Sequence, residues 1–182
     1  MKNIPVTEIE GVRVTESKSS SDSRGTFIKI QPSLEFTDGL DSVATSINPK
    51  VGTIRGLHFQ IPPCAEEKII TCIQGSVFDV IVDIRPESKT FGKFATFELN
   101  AINGIQVYLP IGIAHGFQTL QPETIIHYCL SAAYSPEFAY SIDPFGELAI
   151  NWPLKDFLVS EKDASGLSFS IAADKYAQAF ES

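Results

Sequence analysis

His58 stands in the run IRGLHFQ, with Arg55 three residues before it and Gln60 two after; Lys68 follows ten positions later in EEKII. An imidazole titrates near neutral pH and can take or return a proton. A guanidinium or ammonium nearby can hold an anion or a developing oxyanion. Strict strand alternation puts Ile54, Gly56, His58 and Gln60 on one face and Arg55, Leu57 and Phe59 on the other. An ionised lysine inside an apolar run is costly unless it lines a wet pocket. Polar groups such as His58, Gln60 and Lys68 converging inside a small β-barrel form the pattern of a ligand cavity.

Other residues extend this set. His115 follows a PIG turn in LPIGIAHGFQTL and reads as a turn histidine at a barrel mouth, able to touch an anionic ligand. His127 and Tyr128 are neighbours in TIIHYCL, so one faces inward and the sequence leaves open which. Asp163, in VSEKDASG, has the setting of a helix-capping or loop acid. A metal centre built from His58, Glu66 or Glu67, and His115 lacks the second strand histidine. Gln60 stands in its place, and glutamine is a weak substitute for imidazole at zinc or iron.

These residues need rigid elements, and the patterning predicts strands. TFIKI, VATSI, GTIRGLHFQ, KFATFEL, IQVYLP, HGFQTL and TIIHYCL are short, β-rich and separated by turn signals. KIITCIQGSVFDVIVDIR reads as two strands with a turn near Gln74-Gly75; its second arm puts Val77, Asp79, Ile81 and Asp83 on one face. No β–α alternation intervenes, which points to a sandwich or barrel. Phe169, Ala172, Ala173, Tyr176, Ala177 and Phe180 form the stripe of one amphipathic helix near the C-terminus. A short helix around SLEFTDGL is a further expectation.

The 182 residues suit one domain, residues 1–182, with a substantial core and no internal repeat. A net charge of −8 argues against nucleic acid as a partner, because phosphate backbones demand surplus Lys and Arg. No apolar run reaches the roughly 18 residues of a membrane span. The N-terminus lacks a signal-peptide pattern, which predicts a cytoplasmic protein. Cys64, Cys72 and Cys129 show no C-x-x-C spacing and read as free thiols.

Taken together, IRGLHFQ, KIITCIQGSVFDVIVDIRPESKTFGKF, YLPIGIAHGFQTL, HYCLSAAYSPE and INWPL resemble the nucleotide-sugar 3,5-epimerase family, from about Asp22 to about Asp163. The resemblance implies an all-β, cupin-type double-stranded β-helix, or jelly roll, with a C-terminal helix and short peripheral helices. It implies a homodimer with exchange of an N-terminal strand, and no metal or organic cofactor. It implies a nucleoside diphosphate 4-keto-6-deoxyhexose as substrate, in deoxysugar biosynthesis for a cell-surface polysaccharide such as lipopolysaccharide or for a glycosylated metabolite. His58 falls on the family's base, Asp163 on its carboxylate partner, Lys68 on the lysine that stabilises the enolate, and Tyr128 on the proton donor. That assignment turns Tyr128 inward and His127 outward. Arg24, Arg55, His115 and Lys162 fall on diphosphate or nucleotide contacts, and Tyr134 on an aromatic near them.

The likeness has gaps where the nucleotide is read. Val43 to Asn48 stands where the family has Q-x-N-H-S, so Thr45 occupies a contact position without its amide. Lys29 replaces a glutamate, and Ala139 stands where an acidic contact is expected. An intact catalytic set beside an altered recognition set implies changed nucleotide or sugar specificity, or epimerisation at C3 only. A ketoisomerase-like cupin, or a non-catalytic sugar-nucleotide-binding cupin, is the other reading.

Overall fold

A computed structural model describes residues 2–3, 5–30, 36 and 39–181. The strands are β1 (Lys2–Asn3), β2 (Arg13–Glu16), β3 (Lys18–Asp22), β4 (Gly25–Lys29), β5 (Ser42–Asn48), β6 (Ile54–Gln60) and β7 (Lys68–Gln74). They continue as β8 (Ser76–Asp83), β9 (Lys93–Asn100), β10 (Ile105–Leu109), β11 (Ile113–Thr119), β12 (Thr124–Leu130) and β13 (Ala139–Ser141). Helices α1 (Glu161–Ala164) and α2 (Phe169–Glu181) follow. The short helix expected over SLEFTDGL falls largely outside the described residues.

Two sheets form the jelly roll. One runs β1-β9-β8-β11-β6-β13 and the other β2-β10-β7-β12-β5, with β3 and β4 pairing apart as a hairpin. Alternation decides what each strand buries. Ile70, Val77, Ile81, Leu99, Val107, Ile113, Phe117 and Ile126 meet in a core cluster between the sheets. Val80, Val82, Phe94 and Ala114 join α2's Phe169, Ala172, Ala173 and Tyr176 in a second cluster. Four of the six residues of the predicted helix stripe are therefore seated on the outside of the six-stranded sheet, whereas Phe180 at its end is exposed. Fully burying each Val, Leu, Ile or Phe side chain among them contributes about 1.5–3 kcal/mol.

The turn between β7 and β8 requires Gly75. Its φ is +73°, and a Cβ there would lie 2.3 Å from Thr124 Oγ1. The three cysteines are free, and burial pushes the Cys72 thiol up to about 11. No helix among the described residues is long and apolar enough to cross a membrane.

Between the sheets, at the end where β6 and β11 face β5, β7 and β12, large apolar side chains give way to polar ones. This leaves a cavity of about 350 Å³, within the range of small-ligand pockets.

Candidate active site

Strict alternation would put Arg55 and His58 on opposite faces of β6, yet both line the cavity. A bulge explains the departure. His58 pairs with His115 and Arg55 with Phe117, so Gly56 and Leu57 oppose the single residue Gly116. Gly56 takes φ +101°, and a Cβ there would fall 2.5 Å from the His115 carbonyl oxygen. Only glycine fits that approach.

Asp163 locks the bulge from the far end of the chain. Its Oδ1 lies 2.8 Å from His58 Nε2, and its Oδ2 accepts from the Gly56 N–H at 3.2 Å. The capping role expected of Asp163 belongs to Ser160, whose hydroxyl accepts from the Asp163 N–H at the start of α1. Burial alone would raise the Asp163 pKa. The bonds from His58, Gly56 and Ser160 outweigh that and hold it below the usual carboxylate range. An ionised Asp163 orders the Nε2–H tautomer of His58, which leaves Nδ1 as the free base.

The opposite wall supplies other chemistry. Tyr128 lines the cavity from β12, and Lys68 from the adjacent β7. The inward alternation on β12 is Ile126, Tyr128 and Leu130, so Tyr128 faces in and His127 out, as the resemblance implies. Burial, with Asp79 nearby, pushes the Tyr128 phenol well above its ordinary value, and Arg55 pulls the other way. The phenol stays protonated at physiological pH and is available as a proton donor. Lys68 is ion-paired with Glu66 at 3.0 Å.

His115 is the third residue of β11, fully inside the sheet, rather than a turn histidine at the mouth. Its Nε2 lies 2.9 and 3.1 Å from the two oxygens of Asp79, which is completely buried. Burial raises the Asp79 pKa and His115 opposes the rise. Asp79 thus forms a second imidazole–carboxylate pair beside the first. Its advance sign in the sequence is an acid set between Val77 and Ile81, on the face of SVFDVIVDIR that also carries Asp83.

Four expected contacts differ. Gln60 lines the cavity, but its amide is engaged by backbone: it donates to the Cys64 and Ala133 carbonyls and accepts from the Ser135 N–H. It clamps the loop that carries Tyr134. Thr45 is exposed on the outer face of β5, because the inward parity belongs to Ala44 and Ser46. Arg24 and Lys29 lie on the exposed β3–β4 hairpin and do not line this cavity; Arg24 forks onto Asp22 instead. Arg55, Lys162 and Tyr134 do line it. Arg55 Nε donates to Asn48 Oδ1 at 2.8 Å, and Lys162 Nζ stands 3.4 Å from the Tyr134 hydroxyl. Ala139 lines it as well, so the missing acid leaves that stretch of wall short. Among the described residues no three His, Cys, Asp or Glu side chains converge as a metal-binding group.

A jelly roll whose cavity sets a His–Asp pair on one wall against a tyrosine and a lysine on the other is the architecture of an acid–base enzyme. A sequence profile of dTDP-4-dehydrorhamnose 3,5-epimerase matches residues 6–170, and the chain belongs to that family of isomerases. The dTDP-4-dehydrorhamnose 3,5-epimerase of Sinorhizobium fredii is 38% identical over 166 residues, 86% of this chain and 84% of that one. The crystal structure of a 4-keto-6-deoxy sugar epimerase from the novobiocin cluster of Streptomyces spheroides superposes with a TM-score of 0.85. It is 33% identical and covers 94% of this chain and 92% of its own. The Bacillus anthracis 3,5-epimerase, solved with TDP and pyrophosphate bound, gives a TM-score of 0.82 at 36% identity, covering 87% and 94%.

Proposed function

We propose that the chain epimerises a nucleoside diphosphate 4-keto-6-deoxyhexose at C3, C5 or both, in the cytoplasm, as a step of deoxysugar biosynthesis. The observation that carries this reading is the division of labour between the walls. A base lies on β6, and a neutral phenol lies on the facing β12. The C4 ketone acidifies the hydrogens on C3 and C5. His58 Nδ1 removes one of them, and Asp163 stabilises the imidazolium that forms. The electron pair moves onto the C4 oxygen, where the Lys68 ammonium meets the negative charge. Tyr128 returns a proton to the carbon from the other face, which inverts the centre. Arg55 and Lys162 suit the diphosphate, since a guanidinium fork pairs with two phosphate oxygens and an ammonium meets them as a point charge.

The active form is a homodimer in which the N-terminal segment crosses to the partner. The exposed hairpin that carries Arg24 and Lys29, with Phe27 69% exposed at its centre, supports this arrangement. No metal or organic cofactor takes part. The small inward side chains of Ala44, Ser46 and Ala139 favour an altered nucleotide or sugar, because amide and carboxylate contacts are missing from that stretch of wall.

Incubating the protein in deuterated water with dTDP-, UDP-, CDP- and GDP-linked 4-keto-6-deoxyhexoses tests the proposal. The expected result is deuterium at C3 or C5 with at least one nucleotide, and deuterium at C3 alone defines a single-centre epimerase. Ligand binding without exchange would favour the non-catalytic reading.

A further inference from the structure

EEKII carries two adjacent acids that the fold sends to opposite faces. Glu67 is buried on the outer side of the five-stranded sheet, where it accepts from the Tyr108 hydroxyl. Glu66 shares the parity of Lys68 and lines the cavity with it, both side chains about nine-tenths buried, Oε1 3.0 Å from Nζ. Among the described residues Glu66 is the single carboxylate in the cavity wall, where it stands with Arg55, Lys68 and Lys162, while the Asp163 carboxylate sits behind His58. A carboxylate facing an anionic substrate weakens binding in proportion to its nearness. It therefore needs a reason to be there other than affinity.

The chemistry of Lys68 supplies one. An ammonium is a point charge on a flexible four-carbon stem. In a cavity that admits a diphosphate, the strongest pull on a free ammonium is the diphosphate, not the ketone oxygen, which carries charge only during reaction. We infer that Glu66 is a positioning residue, resting on the epimerase reading, that tethers Lys68 at the sugar end of the cavity. One N–H of Lys68 is committed to Glu66, which leaves two to donate to the enolate oxygen.

The signature of a tether is a split between kcat and KM. Glu66→Ala should lower kcat about tenfold or more, because Lys68 drifts toward the diphosphate. KM should hold or fall, since a repulsive charge is gone. Glu66→Gln keeps an acceptor for the ammonium and should recover part of kcat. Against a Lys68→Ala background, adding Glu66→Ala should cost nothing further or restore some rate, because the two residues act as a unit. The readout is deuterium incorporation from solvent, with dTDP binding to each variant measured alongside.

The inference is overturned by a Glu66→Ala kcat within twofold of wild type, by a fall in kcat with a matching rise in KM, or by additive losses in the double variant. Should Glu66→Ala fail to fold, Glu66→Gln carries the same test: a KM above wild type overturns it. A wild-type chain that exchanges no deuterium with any sugar nucleotide overturns the functional reading and this inference with it. An active wild type with unaffected Glu66 variants overturns this inference alone.

Discussion

At the scale of single residues, Asp163 does two things at once: it orients the base and holds the bulge that presents it. Asp163→Asn should cost about 10²-fold or more in turnover, the scale of general acid–base catalysis, because the Nε2–H tautomer of His58 is no longer enforced. His58→Ala should cost as much, and the double variant little beyond either single one. The same carboxylate has a stability signature. Its folded pKa is depressed, so the stability it contributes is present above the unfolded value of about 3.9. That stability is lost as pH falls through the lower folded value. Asp83 behaves likewise. Burial would raise its pKa, but Arg85, Ser88 and Thr90 hold it down. Asp163→Asn should therefore flatten the decline in unfolding free energy below about pH 4 by close to one proton's worth, leaving the Asp83 part. An unchanged acid slope in urea titrations would count against the depressed value.

At the scale of elements, the bulge between β6 and β11 decides which residues can act together. Gly56→Ala should destabilise by about 2 kcal/mol or more, from the left-handed backbone and the collision with the His115 carbonyl. It should also reduce turnover, because Arg55 and His58 lose their common face. Thermal unfolding and an exchange assay on one preparation would separate these effects, and activity surviving at full rate would contradict the account of the bulge. This element also marks where the sequence stopped being legible. Strand positions, the turn at Gly75 and the helix stripe follow from local patterning, and all are seen. The face shared by Arg55 and His58 does not follow, because a bulge is a property of two paired strands and only one was in view. The outward placement of Thr45 is hidden for a related reason: a family motif gives its position in the chain, and only the parity of β5 gives the cavity to Ala44 and Ser46. Asp79 passed unclaimed because its partner His115 is 36 positions away, and only strand pairing brings them together.

At the scale of the whole molecule, two residues expected at the substrate, Arg24 on a phosphate or nucleotide contact and Lys29 in place of a family glutamate, do not line this chain's own cavity. Arg24 and Lys29 project on a two-stranded hairpin, with Phe27 and Ile28 exposed beside them. In the proposed dimer the hairpin is covered and Arg24 reaches the partner's substrate. Sedimentation should then give a dimer at micromolar concentration. Arg24→Ala should raise KM by about tenfold while leaving the dimer intact, in line with the 1.5–3 kcal/mol of a charge-assisted bond. A monomer with full activity would remove the dimer from the account.

The bond between His58 and Asp163 joins distant parts of the chain. The two residues are 105 positions apart, and strands β7 to β13, most of the jelly roll, lie between them in the chain. Loops of that length close late, after local hairpins have formed. A partly assembled chain can carry its sheets, its cysteines and even its cavity, yet it has no oriented base and does no chemistry. Proton exchange thus reports on completed assembly: a preparation turns over in proportion to the molecules in which β6 and α1 have come together, whatever its content of strand.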